Sequence, residues 1–144
     1  RTPAEVIQSN LAEIGVTANI VAEDWSIYLP KALDGDFAAT ILGEAGQSDP
    51  DECLFNVFYT DNGGNLGNFS NAELDALLEE GRQVSDQEQR REIYVEAQEI
   101  ILEEAAHTFL FHSSQYEALR PDVRGFEHFP NTSYLGLRTT WLDR

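Results

Sequence analysis

The chain has 144 residues, 42% apolar and 10% aromatic, which suits one domain with a packed core and excludes a wholly disordered chain. It carries 26 Asp and Glu against 9 Lys and Arg, a formal net charge of -17 at pH 7, and such a surface repels nucleic acid and anionic lipid head groups. Cys53 is the single cysteine, so no internal disulfide can form.

The elements follow from capping and periodicity. Thr2-Pro3-Ala4-Glu5 is a capping box with proline at the first helical position. Ile7, Leu11 and Ile14 follow at helical spacing, and Gly15 offers the stop. Val16–Ala22 alternates in part and predicts a strand. Asp24 can cap a second helix carrying Trp25, Tyr28, Leu29 and Leu33, which Pro30 should kink or delay. Phe37–Gly43 predicts a second strand. Helix, strand, helix, strand implies an α/β fold with the two strands parallel in one sheet. The loop that follows, Glu44 to Asp49, then lies past the carboxyl end of a strand, where open α/β sheets form ligand clefts.

Farther on, Asn62 to Asn68 is a turn-rich loop. Ser70-Asn71-Ala72-Glu73 and Ser85-Asp86-Gln87-Glu88 are capping boxes. The first opens a helix with Leu74, Leu77 and Leu78 on its apolar face; the second opens the longest helix, with Ile93, Ala97, Ile100 and Ile101. Thr108–His112 predicts a buried strand, and Pro121–Gly125 a turn. No run approaches the roughly 20 apolar residues of a membrane-spanning helix, and none reads as a signal peptide. The opening Arg1-Thr2-Pro3-Ala4-Glu5, without an initiator Met, suggests a piece of a longer gene product.

The acids are spread along the whole chain, and Lys31 is the sole lysine. A halophile's solvated surface explains this better than a face for a basic partner, since high salt screens self-repulsion. Among so many carboxylates no spacing fixes a catalytic pair. His107, His112 and His128 follow no zinc pattern, and Cys53 has no partner thiol. Asp49-Pro50-Asp51 lacks the rest of a calcium loop. There is no nucleophile elbow and no phosphate-binding glycine motif, so neither metal nor cofactor is expected. The loop Glu44–Asp49 has an ordinary reading as a β-to-α connection, with Asp49 or Asp51 capping the next helix.

The order of motifs adds a further element. The Leu-x-x-Ile-Gly helix end, Asp49-Pro50-Asp51, Ser70-Asn71-x-x-x-Asp75 and the run from Arg90 to Gln98 together resemble the extracellular solute-binding proteins of family 5, the peptide/nickel class of ABC importers. The resemblance covers almost the whole chain and implies the second lobe of a type II periplasmic-binding-protein-like fold, a mixed sheet with flanking helices. Residues 1–112 would belong to that C-terminal lobe, and 113–144 would return toward a first lobe.

Such proteins capture peptides or similar small solutes between two lobes and hand them to a membrane permease. The resemblance therefore implies a monomeric, extracellular or periplasmic receptor, membrane-anchored at full length and without enzymatic chemistry. The loop would line the cleft. Family members usually carry a Trp after Leu-Gly, and the peptide binders an Asp, before the Asp-Pro, that pairs with the peptide's α-amino group. Here Glu44 stands at the first place, and Ala45-Gly46-Gln47-Ser48 lacks that Asp. Either Glu44 supplies the carboxylate, or the ligand is not a free peptide. Gly43 and Gly46 let backbone approach a ligand, Gln47 and Ser48 offer hydrogen bonds, and Asn65, Asn68 and Phe69 on the next loop can reach the same cleft or serve their own turn. Two rival classes stay open: a hydrolase using Glu44 and Asp49 as acid and base, and an acidic protein-interaction domain.

Overall fold

Glycines set the limits of the first two helices. In the computed structural model, which describes residues 2–43, 47–129 and 133–144, α1 spans Thr2–Glu13 and α2 spans Trp25–Leu33. Each ends on a left-handed glycine, Gly15 at φ +80 and Gly35 at φ +71. In each case the two following N–H groups turn back onto the last helical carbonyls: Gly15 to Ala12 and Val16 to Leu11, Gly35 to Ala32 and Asp36 to Lys31. Helix α2 runs on through Pro30 to Leu33. Proline removes only the ladder bond that would have reached Ser26, in the helix's first turn, so the expected delay of the helix is not seen.

These helices lie in the first of two units, Arg1–Gly43 and Glu44–Arg144. The segments expected as strands at 16–22 and 37–43 carry no ladder, and the second bends at residues 38–39. Side chains pin them instead: Gln8 donates to the Ala18 carbonyl at 2.6 Å, and Tyr28 Oη meets Thr40 Oγ1 at 2.8 Å and the Ile41 carbonyl at 3.2 Å. Apolar alternation states that a segment suits a sheet but not which edge it pairs with, and a ladder needs that edge. Among the described residues of this unit Ala32 alone is buried, and Ile20, Val21, Ile41 and Leu42 are exposed.

The second unit holds the core. Helices α3 (Pro50–Phe58), α4 (Ala72–Gln83) and α5 (Gln87–Glu103) pack together around Val57, Phe58, Leu74, Leu78, Tyr94, Ala97 and Ile101. Burying each Leu or Ile contributes about 1.5–3 kcal/mol. Both caps sit one residue later than the Ser of the expected boxes. Asn71 accepts from the Glu73 and Leu74 N–H groups, and Asp86 accepts from Gln89 N–H.

The chain closes with a two-residue antiparallel pairing, β1 (Val123–Arg124) with β2 (Trp141–Leu142), around a 3-10 turn at Tyr134–Thr139. Among the described residues this is the sole ladder. The expected buried strand at 108–112 is an exposed segment outside any ladder, with Phe109 and Phe111 62% and 66% accessible. No helix among the described residues is long and apolar enough to cross a membrane.

Candidate functional site

The site is built from the loop before α3. Pro50 opens that helix and Asp49 caps it, accepting the Asp51 N–H at 2.9 Å. Gln47 and Ser48, the residues just before, are exposed. Glu44, Ala45 and Gly46 lie outside the described residues, and Gly43 is the exposed end of the first unit.

The Asp49 carboxylate is held from α5. Arg90 donates from Nη2 to Oδ1 at 2.8 Å and from Nη1 to Oδ2 at 2.9 Å, a fork-on-carboxylate pair. Its Nε donates to the Gly81 carbonyl at 2.9 Å, near the end of α4. The Tyr94 hydroxyl lies 3.4 Å from both Arg90 Nη2 and Asp51 Oδ1. The chain of contacts continues outward. Arg82 Nε sits 3.3 Å from Asp51 Oδ2, and its guanidinium covers the Phe55 ring at 3.9 Å. Phe55 stacks on Tyr59 at 4.2 Å, and the Tyr59 hydroxyl donates to Glu79 at 2.6 Å.

Helix α4 can lie this close because position 81 is glycine. A Cβ there would meet the Tyr94 ring at 2.7 Å. Glycine weakens a helix interior by about 1 kcal/mol relative to alanine, so its presence marks a close approach between α4 and α5.

The electrostatics follow the geometry. The Arg90 fork, helped by the Asp51 N–H, holds the Asp49 carboxyl below its usual range. The same contact, with Tyr94 second, holds the Arg90 guanidinium more firmly protonated. Burial pushes the Tyr94 phenol up. With Arg90 on both oxygens and the Asp51 N–H on one, the Asp49 carboxylate is committed within the protein.

The second loop is organised around Asn65, a buried polar residue. Its amide donates to the carbonyls of Tyr59 at 3.2 Å and Phe69 at 2.7 Å, and its oxygen accepts the Phe69 N–H at 3.0 Å. Phe69 packs against the core, while Asn68 is exposed at φ 53. His107 flanks this loop. Its ring is 4.7 Å from that of Phe58, and burial pushes its pKa down. Of the expected site residues, Gln47, Ser48 and Asn68 are thus exposed, and Asn65 spends its amide within its own loop. The pairing of Asp49 with Arg90 was not foreseen, although both residues stand in motifs the sequence offers.

No family model matches the chain. Among individual proteins, the dipeptide-binding protein of Pseudomonas aeruginosa is 36% identical over 130 residues, covering 88% of this chain and 24% of that protein. Heme-binding protein A of Haemophilus influenzae is 35% identical over 130 residues, with the same shares of 88% and 24%. The solved dipeptide-binding protein from Pseudoalteromonas sp. SM9913, in complex with Met-Leu, superposes with a TM-score of 0.81 at 27% identity, covering 99% of this chain and 29% of that one.

This chain is a homologue of the family 5 solute-binding proteins. It spans about a quarter of the length of the curated relatives it matches. Its fold is the corresponding part of the type II periplasmic-binding-protein fold expected from the sequence, dominated by helices and with a small antiparallel sheet. These family 5 relatives are named as binding proteins, not as enzymes.

Proposed function

We propose that the chain is the ligand-binding part of the second lobe of an extracellular or periplasmic solute receptor that captures peptides for an ABC importer. The observation that carries this reading is the likeness to dipeptide-binding proteins along nearly the whole chain. Capture is by closure of two lobes, with ligand binding favouring the closed state that a permease then recognises. Residues 1–112 form the lobe and 113–144 return toward the first lobe. The receptor is a membrane-anchored monomer, the source is a halophile, and the chain performs no chemistry.

In this reading Gly43, Glu44, Ala45, Gly46, Gln47, Ser48 and Asn68 are the candidate solute contacts. Asp49, Asn65 and Phe69 shape the site from behind. With Asp49 spent on Arg90, an α-amino group needs another carboxylate, and Glu44 is the candidate.

The test is a thermal shift of the full-length protein in molar salt with dipeptides, oligopeptides, haem, sugars and nickel with a small chelator. Haem enters because of the second relative. A ligand at 100 times its Kd adds about 2.7 kcal/mol to stability, a shift easily read. A shift with peptides alone supports the proposal. A shift with haem alone replaces peptide by tetrapyrrole, and turnover of any peptide overturns the receptor reading.

A further inference from the structure

The two most specific motifs of the sequence, Asp49-Pro50-Asp51 and the run beginning at Arg90, meet in space as one clasp. We propose that Arg90 is a positioning residue for solute capture, acting through Asp49 on the exposed Gln47 and Ser48 without touching the solute. This rests on the reading of residues 43–48 as the ligand-facing segment.

Each nitrogen of the Arg90 guanidinium is engaged. Nε reaches the Gly81 carbonyl, Nη1 reaches Asp49, and Nη2 reaches Asp49 and the Tyr94 hydroxyl. One planar group therefore fixes the start of α3 against the end of α4 and the first turns of α5. A fork of this kind sets direction as well as distance. The carboxylate is equally committed, since Oδ1 also accepts the Asp51 N–H.

A helix cap alone ties Asp49 only to its own helix, whereas the clasp ties it to α4 and α5 as well. Fixing Asp49 from α5 restricts where Gln47 and Ser48 can lie before any solute arrives. Ordering a side chain during binding weakens affinity, and ordering it beforehand removes that loss. The clasp is only half-buried, with the Arg90 side chain 26% accessible and that of Asp49 41%. At that exposure an ion pair adds little to global stability. Its larger effect is expected on local order.

The experiment compares wild type, Arg90→Gln, Arg90→Lys and Ile101→Val in the full-length protein. Ile101 is a core residue distant in sequence from the clasp, and its shortening lowers stability without touching Asp49. Two quantities are read: the Kd for Met-Leu by calorimetry, and amide exchange over residues 47–51. Arg90→Gln is expected to weaken Met-Leu about three- to tenfold, the factor for ordering one or two side chains on binding, and to speed exchange at 47–51. Arg90→Lys keeps the charge but not the fork, so it should fall between. Ile101→Val should lower the melting temperature and leave both readouts unchanged. Wild-type exchange at 47–51 in Arg90→Gln overturns the proposal. So does a loss of affinity in Ile101→Val equal to that in Arg90→Gln. If wild type fails to bind Met-Leu, the dipeptide reading falls, and the exchange comparison still decides whether Arg90 holds the segment. Should Arg90→Gln fail to fold, Arg90→Lys carries the same comparison.

Discussion

Arg90 grips the Asp49 carboxylate with both of its terminal nitrogens, at 2.8 and 2.9 Å, from a position 41 residues later in the sequence. The carboxylate form is thereby favoured in the fold, chiefly by that arginine. A carboxyl with a depressed folded pKa contributes stability that is present above the unfolded value of about 3.9 and lost as pH falls through the folded one. Asp49→Asn isolates the charge, because asparagine caps a helix as well as aspartate does. Urea midpoints of wild type and Asp49→Asn should differ at pH 7 and converge as the pH drops below about 4. A difference as large at the acid end as at pH 7 would mean that the ionised form contributes nothing.

Gly81 tests the close approach of α4 and α5. By helix propensity alone, Gly81→Ala should stabilise by about 1 kcal/mol. The added Cβ, however, would sit 2.7 Å from the Tyr94 ring and 2.9 Å from its hydroxyl. We expect net destabilisation of about 1–3 kcal/mol, the range for overpacked sites. Tyr94→Leu in the same protein should recover part of it, so a double-mutant cycle should show coupling. A simple gain in melting temperature for Gly81→Ala would contradict the packing.

These two residues also show what the sequence could and could not reveal. Local signals carried the helices well: Gly15 as a stop, Asp24 at the N-cap position though without a side-chain cap bond, and the α5 face of Ile93, Ala97 and Ile101. Each depends on residues within a turn or two of one another. Tyr94 was not placed in the core, because an aromatic beside Ile93 fits an apolar face or a polar edge equally well. The Arg90–Asp49 clasp lies beyond any local rule, since charge pairs at long separation leave no periodicity. The strands expected at 16–22, 37–43 and 108–112 fail for a related reason: composition states a preference for a sheet and names no partner. The Asp49 cap bond is the part a local rule anticipates, and its pairing with Arg90 is the part it does not.

Asn65 separates a structural role from a binding one. Its side chain makes three hydrogen bonds to the backbone of Tyr59 and Phe69. Asn65→Ala removes three part-buried bonds, though the Tyr59 carbonyl keeps the Asn62 N–H, and each lost bond costs about 0.5–1.5 kcal/mol. Denaturant melts should register that loss with no solute present. Asn68→Gly, exposed on the same loop at a φ of 53 that glycine adopts freely, should leave stability nearly unchanged and alter only solute affinity. If Asn65→Ala weakened binding while keeping its midpoint, Asn65 would be a contact and not a strut.

His107 gives a second pH response, distinct from that of Asp49. Burial against Phe58 lowers its pKa, so the fold favours neutral imidazole. Its contribution is complete above the unfolded value of about 6.5 and declines as pH falls from there through the folded value. The melting temperature of wild type should therefore drop between pH 7 and pH 5. His107→Phe, which keeps a ring on Phe58, should flatten that part of the profile. An unchanged profile in His107→Phe would assign the drop to other groups.

The net charge of -17 makes salt the strongest lever on this chain. On α5, Glu88, Glu92, Glu96, Glu99 and Glu103 follow one another at spacings of three and four, all exposed, on the side away from Ile93, Ala97 and Ile101. Like charges at that spacing each destabilise a helix by roughly 0.2–0.5 kcal/mol. Arg91 offsets Glu88 through a 2.9 Å pair and also acts on Glu92, which leaves Glu96, Glu99 and Glu103 more dependent on screening. The screening length falls from about 10 Å at 0.1 M salt to about 3 Å at 1 M. The urea midpoint should therefore rise between 0.1 and 1 M potassium chloride, as a halophilic surface requires. Glu92→Gln with Glu96→Gln should raise the low-salt midpoint and shrink the salt response. A midpoint indifferent to salt in wild type would remove the halophilic reading. A salt response undiminished in the double variant would move its origin away from α5.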